Sequence, residues 1–314
     1  MAAIRIEGLQ KTYGAVHALD GLTLSVGTGT VFGFLGPNGA GKTTAMRILT
    51  GLARATQGRA WVCDIDISSR RTEIARRIGY LPEDPVFYPW MTPWEFLDHV
   101  GSIFGMPYRA RTERAKEVLN LLGLETAAKR RIGGFSRGMR QRLGLAQAML
   151  NRPEVLFLDE PVSALDPTGR KEVLELIEGL RGRCTVFMSS HILADVERVC
   201  DTIGIIAAGR LVTEAPRDAL LSRYAVPVFE VESDGSFDSH WQAWVEGVRQ
   251  ESWVHSVSLN APVVRIQVKD VERAKQELLP SAVRAGLVLA RYALVRPSLE
   301  DVFLQLVNGG KPNP

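Results

Sequence analysis

Hydrophobic and polar positions change their rhythm along this chain, and the change separates two regions. From residue 1 to about 220, short β-branched or aromatic runs alternate with amphipathic stretches, the pattern of an α/β sheet with crossover helices. The runs Ile4–Glu7, Val31–Leu35, Ile78–Leu81, Val155–Leu158, Thr185–Ser189 and Ile203–Ala207 predict strands. Several are apolar throughout, as parallel strands covered on both faces must be. From Thr92 to Arg131 the pattern is mostly helical. Pro93 stands where a first helical turn tolerates proline, and Glu113–Leu122 carries an apolar stripe. The expectation is a helical subdomain, about residues 92–150, inserted into the α/β domain.

Residues 221–314 read differently. Strands are predicted over Val226–Glu232, Val254–Asn260, Val263–Val268 and Leu287–Val295, with helices over Ser239–Gln250 and Val271–Ala285. That order, βαββαβ, is the ferredoxin-like split arrangement of a small α+β domain. Asn260-Ala261-Pro262 suits the hairpin turn between the middle strands. A last helix is predicted over Ser298–Val307.

Composition agrees with two domains. The chain has 314 residues, above the roughly 250 to 300 at which single cores stop growing. With 46% hydrophobic and 23% charged residues it should bury a real core. A net charge of only +3 argues against wholesale binding to nucleic acid or anionic lipid, and leaves the clusters Arg109–Arg114 and Lys129–Arg131 as solvated helix faces. Cys63, Cys184 and Cys200 lack the paired spacing of a zinc site or disulfide framework, so reduced, mostly buried thiols are expected. The opening residues MAAIRIEGLQ carry no long apolar core of an export signal. Val155–Leu158 and Ile203–Ala208 fall far short of the ~18 apolar residues that span a bilayer. Any membrane role then passes through a partner.

The chemistry lies in the first region. Gly36-Pro37-Asn38-Gly39-Ala40-Gly41-Lys42-Thr43, followed by Thr44, directly follows the apolar run Val31–Leu35 and precedes a helical one, the context that a P-loop requires. Glycines let backbone N–H groups close around phosphates. Lys42 supplies positive charge to the outer phosphates, and the Thr43 hydroxyl serves Mg²⁺. Val155–Leu158 delivers Asp159 and Glu160 to the C-terminal edge of a buried strand, where open α/β sheets bind their ligands. Asp159 is a candidate for the Mg²⁺ shell and Glu160 for the group that orients or deprotonates an attacking water. Ser136 is a good N-cap for a helix running to Leu150, and such a helix start is an anion site.

Phe135-Ser136-Arg137-Gly138-Met139-Arg140-Gln141, placed between the P-loop and the acidic strand, resembles the signature sequence of ABC proteins. The resemblance covers residues 1 to about 220. It implies an ATPase whose two sites each combine one subunit's P-loop with Ser136 and Gly138 of the other. Within it Tyr13 resembles the aromatic residue that stacks on adenine, Ser163-Ala164-Leu165-Asp166 the loop crossing the dimer interface, and His191 the switch histidine near the γ-phosphate. Glu83, in Tyr80-Leu81-Pro82-Glu83-Asp84-Pro85, stands where most members have glutamine and is a further candidate for Mg²⁺. Arg137 and Met139 replace the glycine and glutamine of many signatures; both departures resemble the drug-export branch. Arg296-Pro297-Ser298-Leu299-Glu300-Asp301-Val302-Phe303 is similar to the C-terminal segment of the daunorubicin-resistance type of ATPase subunit.

The implied protein is a P-loop ABC ATPase domain with an inserted helical subdomain, followed by a ferredoxin-like domain. ATP and Mg²⁺ are its cofactors. Its partners are a second copy of itself or a homologous ATPase subunit and an integral membrane permease, with no nucleic acid. The resemblance places it peripherally on the cytoplasmic face of the membrane, powering an exporter. An importer subunit with a regulatory tail, or a soluble ABC protein of translation or repair, are the competing readings. The one P-loop and the lack of a heptad run count against the soluble alternative.

Overall fold

The structure, a computed structural model, describes residues 2–223, 227–235, 237–295, 299–300 and 302–303. The chain folds into two compact units, Met1–Arg217 and Asp218–Pro314. In order, the first contains β1 (Ala2–Tyr13), β2 (Val16–Gly27), β3 (Val31–Leu35), α1 (Lys42–Leu49), β4 (Gln57–Val62), β5 (Ile65–Asp66), α2 (Arg71–Arg77), β6 (Ile78–Leu81), α3 (Pro93–Ile103) and α4 (Tyr108–Leu121). It continues with α5 (Arg137–Met149), β7 (Val155–Asp159), α6 (Pro167–Gly179), β8 (Thr185–Ser190), α7 (Leu193–Val199), β9 (Thr202–Ala207) and β10 (Arg210–Pro216).

Six strands form the central sheet in the order β10-β9-β3-β8-β7-β6. All neighbours pair parallel except β10, which closes one edge antiparallel. Every residue of β3, β7 and β8 is buried, so these strands show no face to solvent and are apolar in their interiors, with polar residues only at the ends of β7 and β8. Phe187 is their hub, stacking on Phe32 at 5.3 Å between ring centroids and meeting Phe34 and Phe157 at 5.2 and 5.8 Å. A second, antiparallel sheet of order β2-β1-β4-β5 shares this core through Ile4, Ile6, Leu22 and Leu24.

The strands β2, β4, β5 and β10 were not among the sequence expectations. Their signals are interrupted or shallow: pairing between β1 and β2 shifts register four times, and edge strand β10, although its half-buried residues alternate strictly with exposed ones, buries none of its residues fully. The helical insertion is present. Thr92 and Glu95 form a reciprocal capping box at the start of α3, which buries Phe96, Leu97 and Val100. Arg114 of α4 donates to the carbonyls of Met149 and Leu150, at 2.6 and 3.2 Å, and so satisfies the C-terminal end of α5.

In the second unit follow α8 (Arg217–Arg223), whose first residue closes the first unit, then β11 (Val228–Ser233), α9 (Ser239–Arg249), β12 (Val254–Asn260), β13 (Val263–Val268), α10 (Val271–Arg284) and β14 (Leu289–Val295). The sheet order β12-β13-β11-β14, antiparallel throughout, is the ferredoxin-like arrangement. Trp241, Trp244 and Val245 of α9 with Leu278 of α10 cover one face over Phe229, Val231, Val264 and Ile266. Of the last expected helix only Leu299, Glu300, Val302 and Phe303 are described, all helical; the rest of Ser298–Val307 lies outside the described residues.

All three cysteines are free thiols, Cys184 and Cys200 buried and Cys63 half-buried. Burial pushes Cys63 up to about 11 and Cys184 to about 12, so neither is a nucleophile at neutral pH.

Candidate functional site

Register brings the site together. Leu35 at the end of β3 lies beside Ser190 of β8, Ser189 beside Asp159 of β7, and Leu158 beside Leu81 of β6. Four strands thus end at one level, and the loops leaving them open on the same C-terminal edge, where ligands of such sheets bind.

The loop after β3 wraps into α1. Gly41 has φ +109, and a Cβ there would stand 2.5 Å from the Ala18 carbonyl oxygen. At Gly36 a Cβ would meet the Ile206 carbonyl oxygen at 2.3 Å, so both positions need glycine for backbone approach. No side chain caps α1, which leaves its first N–H groups directed at the loop's interior. Lys42 is buried and donates from Nζ to the carbonyls of Gly36 and Pro37, at 2.6 and 3.3 Å. Burial lowers its pKa from the usual lysine value, opposed by the charges of Glu160, Asp159 and Glu83.

Asp159 and Glu160 are 1% and 7% exposed. The Ser189 hydroxyl donates to Asp159 Oδ1 at 2.6 Å and accepts from the Glu160 N–H at 3.1 Å. Asp159 Oδ2 is buried with no hydrogen-bond partner. Glu160 sits at φ +51, a left-handed conformation costly for a residue with a side chain, and its Oε2 lies 2.8 Å from His191 Nδ1. His191 leaves the end of β8 half-exposed, so one imidazole links the acid to the open cavity.

A cavity of about 570 Å³ is walled by Tyr13, Ala18, Asn38–Thr44, Glu83, Asp159, Glu160 and His191. Tyr13 is half-exposed, with Lys11 Nζ 4.7 Å from its ring centroid. Gly36 and Pro37 lie at the root of the same loop, as the carbonyl acceptors of Lys42. Ser136 and Gly138 are not among these walls. The Ser136 Oγ accepts from the Met139 N–H at 3.2 Å and caps α5, while a Cβ on Gly138 would touch Leu165 and Ala164 of the following loop. Sequence reasoning did not single out Ala18 or Ser189. Two hydroxyls closing an otherwise apolar strand, Ser189-Ser190, are the signal for the second; Ala18 carries none.

The ABC transporter family model matches residues 19–163. The ABC transporter ATP-binding protein YxlF of Bacillus subtilis (strain 168) is 38% identical over 306 residues, 97% of this chain and 99% of that one. The chain belongs to the ABC transporter ATP-binding proteins.

Residues 217–307 match the C-terminal domain of DrrA1-3-like ATP-binding proteins. The daunorubicin resistance ATP-binding protein DrrA2 of Streptomyces coeruleorubidus is 36% identical, across 97% of this chain and 94% of its own. The bacitracin transport ATP-binding protein BcrA of Bacillus licheniformis is 35% identical across 98% of each. Among solved structures, an ATP-binding subunit of an ABC transporter superposes with a TM-score of 0.66 at 27% identity, covering 71% of this chain and 93% of that one. A dimeric ATP-binding cassette bound to ADP and Pi gives 0.64 at 25%, covering 68% and 98%. This ABC protein is therefore an ATPase subunit of a transporter, of a family whose members work as dimers with membrane permeases. Among the described residues no helix is long and apolar enough to cross a membrane.

Proposed function

We propose that this chain powers the export of a drug-like or peptide antibiotic, as a peripheral subunit on the cytoplasmic face of a membrane permease. The observation that carries the reading is the match to DrrA2 and BcrA, which extends through both units and includes the C-terminal domain. In this reading Tyr13 stacks on adenine, the loop Gly36–Thr44 cradles the phosphates, and Lys42 exchanges its carbonyl partners for phosphate oxygens. Glu160 takes the proton of the attacking water, held in place by His191. Glu160 is buried beside Lys42, a setting in which water is scarce and charge interactions are strong.

The acids fit a Mg²⁺ ion. Asp159 Oδ2 is a buried acceptor without a donor, and Glu83 and Thr43 line the same cavity. Mg²⁺ is usually held by one or two carboxylates together with substrate phosphates, and Asp159 and Glu83 offer two on this cavity. When bound, Mg²⁺ supplies charge neutralisation across the phosphates; Asp159 would hold it, with the Thr43 hydroxyl and Glu83.

Ser136 and Gly138 serve the site of a second copy, for they stand outside this chain's own cavity at the start of a capped helix. Next to the Glu83 loop, Val86, Tyr88 and Trp90 are 89%, 45% and 63% exposed, an apolar surface suited to a permease contact. The test mixes two inactive variants, Lys42→Ala with a broken P-loop and Ser136→Arg with a broken signature. One site of each mixed dimer pairs an intact P-loop with an intact signature, so ATPase activity returns when the proteins are combined. Mixed dimers that form, by cross-linking, and stay inactive count against shared sites, provided that wild-type mixed with Lys42→Ala does turn over.

A further inference from the structure

Gln141 lies one turn into α5 and is 1% exposed, on the buried face that also presents Leu143, Gly144 and Leu145. A neutral amide in such a place needs partners. It has two: its Nε2 donates to the carbonyl oxygens of Glu160 at 3.3 Å and Pro161 at 3.2 Å. Both neighbours are acceptors, so the amide nitrogen is the atom that faces them. The Glu160 carbonyl also accepts from the Ser163 N–H at 3.3 Å, which opens the loop Ser163–Asp166.

We infer that Gln141 is a positioning residue for Glu160, an inference that rests on the reading of Glu160 as the group handling the attacking water. Glu160 is held at φ +51, a conformation that an isolated residue with a side chain would leave for a negative φ. Leaving it rotates the peptides on either side and swings the carboxylate away from His191 and the cavity. Two restraints oppose that rotation: the Ser189 hydroxyl on the Glu160 N–H, and the Gln141 amide on the carbonyls of Glu160 and Pro161. The first comes from the central sheet. The second comes from the helix that begins at Ser136, so the signature end of α5 and the orientation of Glu160 are mechanically one piece within a single subunit.

The test uses the full chain with Gln141→Met, similar in length but without a donor, and Gln141→Asn, which keeps the amide but not its reach. Loss of these bonds is expected to lower kcat roughly ten-fold, with KM for ATP within about two-fold, because only the alignment of Glu160 is disturbed. Both variants should accumulate the ATP-bound dimer, as Glu160→Gln should. In the Glu160→Gln background, Gln141→Met should change residual turnover by less than about two-fold, since residues acting as a unit are non-additive. Unchanged kcat in both variants overturns the inference. So does a joint fall of kcat and ATP affinity, the mark of a merely structural role, and so do two losses that multiply. Wild-type turnover in Glu160→Gln alone removes the reading of Glu160 itself, an outcome distinct from the others.

Discussion

The two units use the same elements to opposite effect. In the first, parallel pairing makes β3, β6, β7 and β8 end at one edge, so the loops after them converge on a single cavity. In the second, each strand runs opposite to its neighbours, and loops leave the sheet at both ends. Charged groups there pair locally, as Glu230 does across the sheet with Arg265 and Arg291 at 3.4 and 3.5 Å. Direction of pairing, more than composition, decides which unit concentrates chemistry. An antiparallel sheet with one face covered by helices gains stability from the same apolar burial, but it gives its polar residues no common point of delivery.

The largest expected effect tests the concentrated side of this contrast. Glu160→Gln keeps size and hydrogen bonding but removes the proposed base, and turnover should fall about 10²- to 10⁴-fold with ATP binding retained, as read by steady-state hydrolysis and equilibrium nucleotide binding. Retained turnover would mean that convergence at the sheet edge does not mark the reacting group.

A smaller effect should appear on the other side. Trp244 is 7% exposed, meets Trp241 edge-to-face at 5.7 Å, and donates from Nε1 to Ser281 Oγ at 2.9 Å, joining α9 to α10. Trp244→Ala should destabilise the second unit by about 3 to 5 kcal/mol, seen by denaturant melts, while ATP binding by the first unit persists. Loss of ATP binding in a variant whose first unit stays folded would break the division of labour.

The smallest expected effect concerns the cap of α9. Asp238 accepts from the N–H groups of Trp241 and His240, and the bond from Trp241 is the leading reason its carboxyl titrates below the usual aspartate value. A carboxyl depressed in the folded state stabilises above its unfolded pKa and loses that contribution as pH falls through the folded one. Asp238→Ala should therefore lower the melting temperature of the second unit slightly at neutral pH. The gap to wild type should close as the pH is taken below the usual carboxylate range. A gap that persists in acid would assign the effect to something other than the charged cap.

Much of this was legible in the residues. Val31–Leu35 could be bounded because a strand buried on both faces shows an uninterrupted apolar run, and Ile78–Leu81, an edge strand buried at every residue but Tyr80, keeps the same apolar character. In the second unit, Val254–Asn260 and Val263–Val268 were bounded as well, with a short turn between them. The P-loop and Asp159-Glu160 are contiguous motifs whose spacing is their chemistry. Strand β2 was not read out, although Leu22, Leu24 and Val26 are buried in strict alternation with exposed Thr23, Ser25 and Gly27; ahead of Leu22 the alternation breaks where its pairing with β1 slips register. Ser189 was missed because its importance lies in what it touches, the Asp159 carboxylate and the Glu160 N–H.

The sequence by itself determined the family, the order of elements in the core strands and the local instruments: glycines where Gly36 and Gly41 admit no Cβ, a cation at Lys42, two acids closing an apolar strand. Tertiary structure alone decided that Glu83, Glu160 and His191 face one cavity, that Ser136 and Gly138 stand outside it, and that Gln141 reaches the carbonyls behind Glu160. The physical reason is that local propensities act over a few neighbouring residues. Strand order and register join segments far apart in the chain, and a hydrogen bond of about 3 Å forms only after every intervening element has packed.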